Sequence, residues 1–66
     1  MEQLKQTYLY IESYHAAKHC PPTIREIGEA MGITHGQARY RLQKMEELGW
    51  IVRDRRRQSI VLRGMG

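Results

Sequence analysis

Only three residues, Gly32-Ile33-Thr34, separate two stretches that each read as a helix, and so short a linker makes the second helix cross the first. The first stretch, Ile24 to Met31, opens on clear punctuation. Pro21-Pro22 ends the segment before it, because proline lacks a backbone donor and restricts the preceding residue. Thr23 then supplies an N-cap with Glu26 at the capping-box spacing, and Ile24, Ile27 and Met31 share one face. Gly28 is unexpected inside a helix, where glycine costs up to ~1 kcal/mol relative to alanine; another helix crossing too closely for a side chain would explain it. Gly32 suits the left-handed position that closes a helix. Thr34 caps the next helix, from about His35 to Leu48, and Gly49 stops it. Ala38, Leu42 and Met45, joined by Leu48, form its inward stripe. The segment from Thr23 to Ile51 is a helix-turn-helix.

A longer helix precedes this pair, from about Glu2 to His19. In it Leu4, Tyr8, Ile11 and His15 recur as one stripe of a 3.6-residue period. After Gly49 the pattern changes to short runs, Trp50 to Arg53 and Gln58 to Arg63, which predict a hairpin turning at Asp54-Arg55-Arg56-Arg57. Ile51, Ile60 and Leu62 suit its inward face, with Trp50, Val52 and Val61 left sideways or outward. A short strand is expected at Pro22-Thr23, and Gly64-Met65-Gly66 as a loose tail. The expected class is α+β and mostly helical: one domain over residues 1–66, with three helices and a C-terminal β-hairpin wing about residues 50–63.

Charge is divided unevenly along the chain. The net charge is +4. Residues 1–38 carry three cations, Lys5, Lys18 and Arg25, against four glutamates, which leaves −1. Residues 39–66 carry eight cations against Glu46, Glu47 and Asp54, which leaves +5. A positive half on a near-neutral scaffold is the footprint of a protein that meets nucleic acid. Cys20 stands alone, so no internal disulfide can form, and a reducing compartment suits it. No apolar run approaches the ~20 residues of a membrane span, and Met1-Glu2-Gln3 does not begin a signal peptide. The expectation is a cytoplasmic protein with no membrane partner.

The run PPTIREIGEAMGIT, followed by a helix ending MEELGWI and a basic hairpin, resembles the DNA-binding domain of the LexA repressor family, and winged helix-turn-helix regulators more broadly. The resemblance covers about residues 4–63. It implies a winged helix-turn-helix transcription regulator whose third helix enters the major groove of double-stranded DNA. LexA repressors also carry a self-cleaving domain with a serine-lysine dyad. These 66 residues hold none, so autoproteolysis is not expected of them. The turn before the third helix is shorter than in LexA, so that family's operator preference is not carried over.

The resemblance gives roles to an adjoining face of the third helix, where Gln37, Tyr40, Arg41 and Lys44 recur at helical spacing. Gln37 is suited to adenine and Arg41 to guanine, each by a bidentate pair. Tyr40 suits a thymine methyl or a phosphate, and Gly36 leaves room for close approach to the groove. Thr34 and His35 lie at a helix N-terminus that favours phosphate, while Arg39 and Lys44 suit the DNA backbone. Arg55, Arg56 and Arg57 at the hairpin tip suit a narrow minor groove or its flanking phosphates. Against these stand structural readings: Tyr40 as an inter-helix filler, Arg41 paired to Glu46 or Glu47, and the tip arginines as solubilising charge.

A rival function is a protein-interaction or dimerisation module using Trp50, Val52, Val61, Tyr10 and Tyr14; core packing is the structural alternative for all five. Dimerisation on paired half-sites is also compatible with so small a domain. His15, His19 and Cys20 lie close together, but a further metal ligand is not evident, and no cofactor is expected. No nucleophile–base–orienter set or phosphate loop is present, so neither an enzyme nor a small-molecule substrate is expected.

Overall fold

The computed structural model describes residues 2–54, 56 and 59–65. In chain order it contains α1 (Glu2–Lys18), α2 (Ile24–Met31), α3 (His35–Glu47), β1 (Ile51–Asp54) and β2 (Ser59–Leu62). Three helices followed by an antiparallel hairpin make a winged helix-turn-helix. Helix α1 buries Leu4, Thr7, Tyr8 and Ile11 against the other two helices. His15, expected on that stripe, is exposed. The buried line passes instead to the half-buried Tyr14, and residues 15–20 are all exposed, because the last turn of α1 runs past the body it packs on. The helix closes with His19 in the left-handed region (φ 61°), its N–H donating to the His15 carbonyl at 2.8 Å.

The strand expected at Pro22-Thr23 is not formed. Pro22 has no N–H to give a ladder, and Thr23 donates its own to the Glu26 carboxylate at 2.9 Å. In return the Glu26 N–H donates to Thr23 Oγ1 at 3.1 Å, completing the capping box that starts α2. The Tyr14 hydroxyl donates to the other Glu26 oxygen at 2.6 Å and so ties the end of α1 to the start of α2. Gly32 ends α2 in the left-handed region, φ 68°. What crowds Gly28 is not another helix but the turn itself: a Cβ there would stand 3.0 Å from the Ile33 carbonyl oxygen.

Helix α3 ends in a Schellman arrangement. The Gly49 N–H donates to Glu46 O (3.1 Å) and the Trp50 N–H to Met45 O (2.9 Å), with Gly49 at φ 79°. This explains a departure from the alternating pattern. Trp50 precedes β1, so the strand's pleat does not govern it, and the turn swings its ring into the core. Trp50 is only 8% exposed and meets Tyr8 edge-to-face with ring centroids 6.2 Å apart. The hairpin pairs Ile51 with Leu62, Val52 with Val61, Arg53 with Ile60 and Asp54 with Ser59. Ile51 is buried, and Ile60 and Leu62 pack against the core from its edge. Beyond β2, Arg63 N–H donates to Trp50 O at 2.7 Å and Gly64 N–H to the Tyr8 hydroxyl at 2.9 Å. The expected loose tail therefore begins with a fastened amide, that of Gly64.

Candidate nucleic-acid interface

Helix α3 begins with the same device as α2. Thr34, in extended geometry, accepts from the Gln37 N–H at 3.1 Å, and Gln37 Oε1 accepts from the Thr34 N–H at 3.0 Å. The Gln37 carboxamide thus satisfies a helix-end donor in the free protein. Ala38, Leu42 and Met45 are buried and fix the rotation of α3 about its axis. Gly36, Arg39, Tyr40, Gln43 and Glu47 are then left on the solvent side, with Tyr40 59% exposed. Tyr40 is therefore not a filler between helices. Thr34, His35 and Gln37 are also exposed at the helix start. A Cβ added to Gly36 would meet nothing within 4 Å, so nothing in the chain's own packing requires glycine there.

Two expected contact residues lie on a flank instead. Arg41 is half-buried, and the bond it makes reaches α1: Nη1 donates to Thr7 Oγ1 at 3.1 Å. Lys44 is half-buried beside it, its ammonium 3.6 Å from Glu47, a pair too exposed to add much stability. Gln43 and Arg53 lie outside the expected set. Gln43 donates to Glu47 at 3.3 Å, and its place on the outward face was readable as i+3 from Tyr40 and i+7 from Gly36. Arg53 joins Arg39, Gln43, Glu46, Glu47 and Ile24 around a groove of about 600 Å³ between α3 and β1. Only packing of the hairpin against α3 reveals that contact. At the wing, Arg56 is exposed and its N–H donates to Asp54 Oδ1 at 3.0 Å; Arg55 and Arg57 lie outside the described residues.

The MarR family pattern matches residues 14–59, which takes in the end of α1, the whole helix-turn-helix and the hairpin as far as the start of β2. The chain belongs to the MarR family. Relatives of this MarR-family chain include the LexA repressors of Staphylococcus aureus strains USA300, NCTC 8325 / PS 47 and MSSA476. Each is 40% identical over 50 residues, covering 74% of this chain and 24% of the relative. The chain thus spans about a quarter of the length of the curated relatives it matches. Both comparisons place it among winged-helix DNA-binding domains.

The MarR-family fold also reduces the rival interaction surface. Trp50 is core, Tyr10 packs against the core, and Tyr14 is engaged by Glu26 with Tyr10 6.0 Å away. Burial, followed by the charges of Glu26 and Glu29, pushes the Tyr10 hydroxyl above its ordinary pKa. Of the five residues only Val52 and Val61 are exposed, at 47% and 49%, side by side across the hairpin. Two valines make a small patch, well short of an interface. Among the described residues, no helix is long and apolar enough to cross a membrane.

Proposed function

We propose that this domain binds double-stranded DNA with sequence selectivity, as the reading head of a transcriptional regulator. Helix α3 enters the major groove, and the hairpin tip at residues 54–57 contacts phosphates or the minor groove. The observation that carries the reading is the solvent face of α3. It combines a glycine the fold does not need, Gly36, with hydrogen-bonding and cationic side chains, and it leads from Arg39 onward into the half of the chain that carries a net +5. On this reading Tyr40 and Gln43, both exposed on that face, meet base edges. Gln37 joins them by turning its carboxamide outward, giving up the bond to Thr34 N–H as a base takes its place. Thr34 and His35 at the helix start, and Arg39 beside them, serve the backbone. Arg55, Arg56 and Arg57 supply sequence-independent attraction.

A 13-residue helix reads few base pairs, so two copies on paired half-sites complete the proposal. Selection from a randomised duplex pool tests it. One preferred sequence should be enriched, as a pair of half-sites if the domain acts as a dimer. With roughly 4–6 phosphates neutralised per copy, log K should fall against log salt with a slope near −4 to −5. Replacing Arg55, Arg56 and Arg57 by alanine should weaken selected and random duplexes alike, whereas Gln37→Ala should erode the preference. No enrichment together with salt-insensitive binding would end the proposal.

A further inference from the structure

Among the described residues Thr7 is the polar one of the buried core, fully enclosed on α1, and its hydroxyl makes two bonds. It donates to the Gln3 carbonyl at 2.8 Å and accepts from Arg41 Nη1 at 3.1 Å. The first bond is the ordinary back-bond of a helical threonine. The second is not local: it reaches across 34 positions to hold one guanidinium of α3. Beside that guanidinium a groove of about 330 Å³ opens between the first turns of α1 and the flank of α3, lined by Gln3, Leu4, Gln37, Tyr40, Arg41 and Lys44. Arg41 and Lys44 stand three residues apart, so both positive charges border the same opening, and the Gln3 amide and Tyr40 hydroxyl add neutral donors. The carboxylate of Glu47 enters only through its 3.6 Å approach to Lys44.

A guanidinium has five donors in a planar fork, and one bond to Thr7 leaves a pair of parallel N–H groups for two oxygens of a single anion. Fixing one corner of the fork in the core also means less of its freedom is lost on binding. We propose that this groove seats a backbone phosphate of the duplex, with Arg41 as its bidentate partner, Lys44 and Gln3 beside it, and Thr7 as the positioning residue for Arg41. The proposal rests on the DNA-binding reading above. It moves Arg41 from the bases to the backbone, and it brings α1, which lies outside the helix-turn-helix, onto the DNA.

The test compares the full chain with Thr7→Val, Thr7→Ser, Gln3→Ala and Arg41→Lys on selected and random duplexes across a salt series. Thr7→Val keeps the shape of the side chain and deletes the hydroxyl. It should weaken both duplexes by the same several-fold factor and make the salt slope shallower by about 1, while Thr7→Ser restores both. Gln3→Ala, at an exposed position, should weaken both duplexes with no change in thermal midpoint. Arg41→Lys keeps the charge but not the fork, and should weaken both without altering the slope. If Thr7→Val fails to fold, Gln3→Ala and Arg41→Lys carry the same test. Wild-type affinity and slope in these variants would overturn the phosphate seat and leave the DNA-binding reading standing. A loss confined to the selected duplex would overturn it in favour of base contact by Arg41. A wild-type chain that does not bind duplex DNA would remove both.

Discussion

A Cβ on Gly28 would stand 3.0 Å from the Ile33 carbonyl oxygen, and Ile33 cannot easily retreat because its own N–H donates to Gly28 O at 2.9 Å. Gly28→Ala therefore sets a helix-propensity gain of up to ~1 kcal/mol against an overpacking cost of about 1–3 kcal/mol. A net loss of stability is expected in urea denaturation. Gly36 is the opposite case, since an added methyl meets open space and Gly36→Ala should stabilise the fold by about 0.5–1 kcal/mol. On the proposed reading the same change should weaken duplex binding, because the methyl would occupy space between the α3 backbone and the groove. A Gly36→Ala variant that melts higher and binds DNA as tightly as wild type would show that close approach is not the reason for glycine there. Both glycines are conspicuous in the sequence. Their separate causes are not, because one depends on where a turn's carbonyl lies and the other on empty space.

Each join between elements rests on a few named groups. The Schellman turn delivers Trp50 to Tyr8, so the root of the wing is held by α1 as well as by α3. Trp50→Ala should cost about 3–5 kcal/mol. A domain of this size has only about 3–10 kcal/mol in total, so the variant should be largely unfolded or close to it in a denaturant titration. The join between α1 and α2 is the Tyr14–Glu26 bond, and it titrates from both ends. Donation to Glu26 pushes the Tyr14 hydroxyl from 10.0 up to about 12. Bonds from Tyr14 and then from Thr23 hold the Glu26 carboxyl below its ordinary value. The tyrosine contribution is thus complete below pH 10 and lost as pH climbs towards 12, while the glutamate contribution is complete above its ordinary range and lost in acid. Thermal midpoints of wild type and Tyr14→Phe should differ by a constant amount near neutrality and converge above pH 10. A gap unchanged at pH 12 would show that the bond adds nothing. The helix starts at Thr23 and Thr34 could be read from the sequence because capping is local chemistry within four residues. Trp50 could not, because its direction is set by a turn that ends one element before the next begins.

Across the whole molecule, the architecture was legible from punctuation and periodicity: prolines, caps and glycines divide the chain, and the inward stripe Ala38, Leu42, Met45 orients α3. The interface was less so. Which of the residues around α3 face solvent, and which are drawn aside, depends on what α1 offers them, and Thr7 gives no sign in sequence that it will hold Arg41. The bond from Gly64 N–H to the Tyr8 hydroxyl, between residues 56 positions apart, has a consequence for the order of assembly. Helices α2 and α3 can find each other through a three-residue turn, but the second strand is secured only once the first helix is already seated, at a larger loop-closure cost. The wing should therefore be the last part to arrive and the first to let go. In native-state hydrogen exchange, the amides of Arg63 and Gly64 should open at lower free energy than those in the middle of α3. Equal protection at both places would mean that the chain folds as one indivisible unit.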